Sequence, residues 1–229
     1  MHKKIGIIGG LSPESTASYY LHIVHSYVKK FGDNGYPEII IYSVNLSKYH
    51  KWRDDGRWDL VVQGLSEAAN SLQKAGAEFG LIATNTMHKV FDEVQRGTSL
   101  PLLNIIDVVA LYVEQKSIKT VGLLGTSFTM SEDFYKLGLK KYGIDVIAPD
   151  PKEQKSVHSV IIDELICGEI REQSKRKFLD IIDHLHDRGA EGVILGCTEI
   201  PLLVKQEECR VMLFDTAAIH ARAALLQAI

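Results

Sequence analysis

Cys197 is the residue best placed to do chemistry. It falls in Gly196-Cys197-Thr198-Glu199, where a buried apolar run ends and a helix opens. A thiol near the unpaired backbone N–H groups of a helix N-terminus is stabilised as the thiolate, the form that takes protons and attacks carbon. The competing reading is a small buried cysteine. Cys167 accompanies Val160, Ile161 and Leu165 on an amphipathic segment, and Cys209 lies in a charged loop beside Lys205 and Glu207, so both read as structural or incidental. Three widely spaced cysteines make neither a disulfide framework nor a zinc motif.

Three other segments put small polar residues where a strand gives way to a helix: Gly9-Gly10-Leu11-Ser12, Thr84-Asn85-Thr86 and Gly125-Thr126-Ser127. Such openings seat a carboxylate or phosphate on free N–H groups. Ordinary helix capping explains any one of them, and four together favour a ligand. Ile5-Gly6-Ile7-Ile8-Gly9-Gly10 lacks the dinucleotide spacing, and no Gly-Lys-Ser/Thr is present, which argues against a nucleotide. The pairs His22/His25 and His184/His186 lack a completing Cys, Asp or Glu cluster and read as solvated helix faces, so no metal is expected. His88 either buffers protons near a site or caps a helix, and Tyr19, Tyr20 and Tyr135 read as packing residues.

These residues need a frame, and the chain is long enough to build one. Its 229 residues allow one large domain or two small ones, and 45% hydrophobic with 24% charged residues excludes a disordered, collagenous or coiled-coil chain. Basic residues number 26 against 29 acidic, a net charge of -3, so nucleic acid is not an expected partner. No apolar run approaches the roughly 18 residues of a membrane span, and the N-terminal apolar stretch is too short for a signal peptide. The chain is therefore expected in the cytoplasm, away from membranes.

Short apolar runs alternate with amphipathic segments, as in an α/β protein of parallel strands linked by helices. Strands are expected at 4–8, 38–44, 79–83, 100–104, 120–124, 145–148, 192–196 and 210–214, with Ser12 capping a helix that opens at Pro13. Shifting the chain by 113 lays Gly76-Ala77-Glu78 on Gly189-Ala190-Glu191 and Thr84 on Cys197, while a shift of 116 lays Lys3, Gly6, Gly9, Ser15 and Tyr19 on identical residues. Chance can match short βα units, but two nearly equal shifts favour two related halves, 1–102 plus 212–229 and 103–211. On this reading the last strand and helix return to the first half. Ligands of such open sheets bind at the strand ends, here in a crevice between halves.

Ala83-Thr84-Asn85-Thr86-Met87-His88, Leu195-Gly196-Cys197-Thr198-Glu199 and Gly9-Gly10-Leu11-Ser12-Pro13-Glu14-Ser15-Thr16 resemble the three signature segments of the aspartate/glutamate racemase superfamily. The resemblance runs nearly end to end. It implies two pseudo-symmetric Rossmann-like (flavodoxin-like) α/β domains with parallel sheets, a homodimer, and racemisation of an acidic amino acid without PLP or other cofactor. It further implies facing cysteines at the ends of equivalent strands. Position 84 departs from that pattern, since Thr stands where the superfamily usually has Cys. A Thr hydroxyl has no thiolate-like form near neutral pH, which leaves Cys197 as the base and Thr84 on the opposite face. The Thr/Cys pair resembles the branch described as specific for L-aspartate and L-glutamate, and also arylmalonate decarboxylase, which works with one cysteine. A single-cysteine decarboxylase or isomerase, or a non-catalytic carboxylate-binding protein, is the alternative. The implied substrate contacts are Leu11, Arg53, Asn85, Thr86, Thr126, Thr198 and Glu199, with Arg53 in the polar loop 49–57 suited to a carboxylate. Ile166 falls near a Lys that some aspartate racemases offer the substrate.

Overall fold

A computed structural model describes residues 2–229; Met1, with which the expected first half begins, lies outside them. Runs of Ile, Val and Leu form the strands, and the central ones bury both faces. β1 (Ile5–Gly9), β2 (Ile39–Ser43), β3 (Phe79–Ile82) and β4 (Leu102–Leu103) make one parallel sheet in the order β2-β1-β3-β4. β5 (Thr120–Leu124), β6 (Asp145–Ile147), β7 (Gly192–Leu195) and β8 (Met212–Asp215) make a second in the order β6-β5-β7-β8. The α/β expectation holds. β1, β3 and β7 are buried at every residue, as parallel strands covered on both faces must be. β4 keeps only two of the five residues expected. Pro101 has no N–H to donate to a ladder, although its carbonyl still accepts from Gly80 N at 2.8 Å.

Two compact units result, one running to Ile105 and resuming at Ala217–Ile229, the other Ile106–Thr216. The expected return of both last elements to the first half needs correction. β8 pairs with β7 along Gly192↔Met212 to Leu195↔Asp215 and so completes the second sheet. Only the helix Thr216–Ala228 joins the first core, where Ala217, Ala221, Ala224 and Leu225 pack with Ile5, Ile7 and Tyr19.

The internal repeat is visible in equivalent contacts. Glu78 accepts the N–H of Lys4 at 2.8 Å, and its mate Glu191 accepts that of Thr120 at 3.0 Å. Gly76 and Gly189 both turn at φ +101°, a left-handed geometry that an L side chain resists. A Cβ on Gly6 would stand 3.1 Å from Leu72 Cδ1, and one on Gly122 2.9 Å from Leu185 Cδ1, so each helix lies tight against its sheet at the same place. Tyr19 and Tyr135 are both fully buried, whereas Tyr20 is partly exposed.

One cluster in the first core is polar. Tyr19 Oη lies 2.9 Å from His220 Nδ1, and His220 Nε2 lies 3.1 Å from the Leu103 carbonyl. The carbonyl can only accept, so Nε2 carries the proton and Nδ1 accepts from the tyrosine. His88 meets His220 edge-on at 5.9 Å. Burial pushes the His88 pKa down to about 4 and that of His220 to about 3, the neighbouring ring adding to the second shift. Both rings are therefore neutral at pH 7. An unfolded histidine binds its proton near pH 6.5, so between that value and the folded ones the unfolded chain holds more protons. Stability is complete above about pH 6.5 and falls as pH drops toward 4, by up to about 1.4 kcal/mol per pH unit for each ring. Urea unfolding at pH 7, 6 and 5 should show this loss, and His220→Gln should flatten it by one ring's share; an unchanged slope would place the acid sensitivity elsewhere.

Candidate functional site

Each central strand stops at a small residue, and the chain then turns straight into a helical segment. β1 ends at Gly9, where a Cβ would meet Thr16 Cγ2 at 2.4 Å. Gly10 adopts φ +77° and lies so close to β2's continuation that a Cβ would come within 2.3 Å of the Val44 carbonyl. The Gly10 N–H donates to Thr16 Oγ1 at 2.8 Å, and Ser12 Oγ caps the helix Pro13–Phe31 by accepting from Ser15 N at 3.0 Å. The turn is thus closed by its own helix. Leu11, expected on the substrate, is buried in the first unit's core.

At the end of β3 the last ladder bond runs from Ala83 N to Ile8 O at 2.9 Å. Beyond it, side chains take over. Ser15 Oγ donates to the Ala83 carbonyl at 2.8 Å, and His88 Nδ1 lies 2.7 Å from the Thr84 carbonyl. Asn85 is buried, while Thr84 and Thr86 are half-buried at the start of a 3-10 turn, Thr86–Val90. His88 is neither an exposed proton buffer nor a cap on a long helix. Its two nitrogens are committed to the Thr84 carbonyl and to the Ile105 N–H, the latter at 3.1 Å.

Arg53 belongs to a helix, Leu46–Asp54, rather than to the polar loop expected. Asn45 caps it, accepting from Lys48 N at 3.2 Å, and Tyr49 buries its one apolar anchor among polar neighbours. The Arg53 guanidinium pairs with adjacent Asp54 at 2.8 Å, a partly exposed contact of about 0–1 kcal/mol that an incoming carboxylate could replace.

The second unit repeats the design with different chemistry. Gly196 N donates to Leu124 O at 2.6 Å, the counterpart of the Ala83 bond, and a Cβ on Gly125 would stand 3.1 Å from the Gly196 carbonyl. Thr126 stands at the N-cap position of the short helix Ser127–Ser131, its hydroxyl 3.3 Å from Thr129 Oγ1 rather than on a backbone N–H. Cys197 follows, partly buried, and its Sγ lies 2.9 Å from Glu199 Oε2. Thr198 Oγ1 donates to the same oxygen at 2.8 Å. Glu199 is only 4% exposed.

This geometry reverses an expectation. Burial, and after it the charge and hydrogen bond of Glu199, raise the Cys197 pKa well above the ordinary thiol value, although the N–H groups of Thr198 and Glu199 pull the other way. The helix that follows, Ile200–Leu203, is too short to offset them. The resting thiol is protonated and donates to the carboxylate. Glu199, expected on the substrate, holds the sulfur; its spacing two residues after Cys197 is the available signal. Nearby, Glu164 Oε2 is the one buried side-chain oxygen without a hydrogen bond among the described residues. It sits where the helix Pro151–Asp163 breaks into the turn Leu165–Cys167, and Leu165 shares a core cluster with Cys197 and Ile200. Ile166 is 38% exposed and apolar.

Cys167 is exposed and Cys209 partly so. Among the described residues no three His, Cys, Asp or Glu side chains gather as metal ligands, and no helix is long and apolar enough to cross a membrane.

Comparison with known proteins agrees with the strand-end segments. A solved structure from Yersinia pestis, provisionally assigned as an Asp/Glu racemase, is 43% identical over 99% of both chains with a TM-score of 0.93. An aspartate racemase homologue from Pyrococcus horikoshii is 40% identical over 99% of both, with a TM-score of 0.86. The broad specificity amino-acid racemase RacX of Bacillus subtilis is 25% identical over 95% of each chain. The family model for Asp/Glu/hydantoin racemases matches residues 8–224. With that match spanning nearly the whole chain, and with both strand-end segments inside it, the protein belongs to the Asp/Glu/hydantoin racemase family.

Proposed function

We propose that the protein is a cofactor-independent racemase of an acidic amino acid, L-aspartate or L-glutamate, with Cys197 as the base and Thr84 serving the opposite face of Cα. The observation that carries this reading is the 2.9 Å contact between the Cys197 thiol and the buried Glu199 carboxylate. In the first step the thiol proton passes to Glu199. The thiolate then removes the Cα proton, and the electron pair left on carbon delocalises into the substrate carboxylate. Reprotonation from the Thr84 side, by its hydroxyl or a water it holds, inverts the centre; from Cys197 it restores the starting enantiomer. After inversion the sulfur keeps the Cα proton, Glu199 gives its proton to solvent, and the alkoxide or hydroxide left on the Thr84 side takes one from solvent. After return from Cys197, Glu199 hands its proton back to the sulfur, so each cycle balances. Arg53, Asn85, Thr86, Thr126 and Thr198 hold the substrate's carboxylates and amine, and Leu11 contributes through its backbone alone. On this reading the protein is a cytoplasmic enzyme, and the resemblance makes it a homodimer.

Proton NMR of L-aspartate and L-glutamate in D2O tests the reading, because it reports Cα exchange even where inversion is incomplete. Cys197→Ser should abolish exchange, since a hydroxyl has no accessible anion. Retained exchange there would remove Cys197 from the role. Glu199→Gln should slow exchange at pH 7 by about 10²-fold, in the usual range for losing a proton acceptor. It should also let the rate climb with pH as the unburdened thiol ionises nearer its ordinary value.

Thr84→Cys restores a second thiol and should raise D-to-L turnover most. The enantiomers have equal free energies, so kcat/KM must match in both directions for every variant, and any L-preference resides in kcat and KM separately. In the wild type, deuterium should enter L-substrate faster than D-product accumulates, and the two rates should converge in the variant. Equal rates in the wild type, unchanged by the substitution, would show Thr84 or its water to be an efficient donor.

Arg53→Ala should weaken acidic substrates by about 1.5–3 kcal/mol, the range for a charge-assisted hydrogen bond. An unaltered kcat/KM would return Arg53 to its pairing with Asp54.

A further inference from the structure

We infer that His88 is a positioning residue for the proposed reaction: its Nδ1–H holds the Thr84 carbonyl and so fixes the peptide from which the Thr84 side chain projects. The inference rests on the racemase reading for its catalytic consequence, but its geometry stands without it. The Ile105 N–H can only donate, so the His88 Nε2 that receives it at 3.1 Å carries no proton. The ring is neutral, and its proton is therefore on Nδ1, 2.7 Å from the Thr84 carbonyl oxygen. Geometry thus determines both the tautomer and the direction of the bond.

The ring has little freedom to let go. It is 4% exposed, lies parallel to Phe91 at 7° with centroids 5.3 Å apart, and abuts the His220 ring. Ser15 Oγ fixes the preceding carbonyl, that of Ala83, at 2.8 Å. Two successive peptides at the end of β3 are therefore held by side chains. The second unit does this differently. The repeat lays His88 on Pro201, which cannot donate, and the Cys197 carbonyl accepts from the main chain, Ile200 N, at 3.3 Å. The fold does not require a histidine at this place. What differs is the residue being held, a thiol in one unit and a hydroxyl in the other. Transfer from a weak hydroxyl donor tolerates misplacement poorly, since about 1 Å can cost about 10²-fold in rate.

Two conservative variants separate positioning from plain stability. In His88→Asn the amide nitrogen can take the place of Nδ1 and still donate to Thr84, while the contact with Ile105 is lost. In His88→Gln the longer side chain reaches the Nε2 position and keeps Ile105, but abandons Thr84. Both should lower Tm. The inversion-to-exchange ratio with L-aspartate and L-glutamate in D2O should fall about tenfold in His88→Gln and stay within about threefold of wild type in His88→Asn. Ratios equal to wild type in both variants, whatever their Tm, would overturn the inference. Wild-type protein that exchanges neither substrate would instead defeat the racemase reading. The carbonyl 13C resonance of Thr84 then decides this one: a shift in His88→Gln but not in His88→Asn sustains it, and equal shifts overturn it.

Discussion

A parallel ladder has to end somewhere, and how it ends controls everything placed beyond it. Backbone groups leaving a buried strand still need partners, and the helix that follows must approach closely enough to supply them. Small residues make the approach possible: Gly9, Ala83, Gly125 and Gly196 close the four central strands. The last ladder bonds, Ala83 N to Ile8 O and Gly196 N to Leu124 O, fix the strand ends in each unit. Thr84 and Cys197 are the first residues past those bonds. Their positions follow from strand termination before any chemistry is considered.

The environment beyond the two ladders then divides the labour. Burial of the Cys197 thiol and a carboxylate at 2.9 Å together keep its proton on sulfur. A protonated thiol is also the less reactive form toward oxidants. The Thr84 carbonyl is held by a neutral imidazole whose other nitrogen is tied to the main chain. One unit presents a group whose charge can change, the other a group whose place cannot.

Much of this was legible in the residues. Eight strands appear as apolar runs, most plainly the central ones, which bury both faces, and the repeat shows in Gly76/Gly189 and Glu78/Glu191, where geometry permits few residue types. Where the reading slipped, local composition masked a tertiary effect. Polar residues around Arg53 suggested a loop, but Asn45 caps a helix there and Tyr49 anchors it. β8 reads like any strand, and nothing local says which sheet it pairs with. Cys197 is visible from its place after a buried strand, yet the sign of its pKa shift is not, because that is set by how deeply the thiol is buried and, after that, by where the Glu199 side chain turns. His88 reads as a proton buffer or a cap because its partner Ile105 lies 17 positions away.

The route of the chain has a consequence for how the molecule is made. The second unit is one uninterrupted stretch, Ile106–Thr216, while the first is completed only by Ala217–Ile229. Ala221, Ala224 and Leu225 fill the core beneath β1, and the Lys3 N–H donates to the Ala228 carbonyl at 2.9 Å. On a ribosome, which releases the chain from the N-terminus onward, the second unit can close while the first still waits with Ile5, Ile7 and Tyr19 uncovered. The portion synthesised first is the portion finished last, and its apolar surface is the one most in need of shielding in the interval.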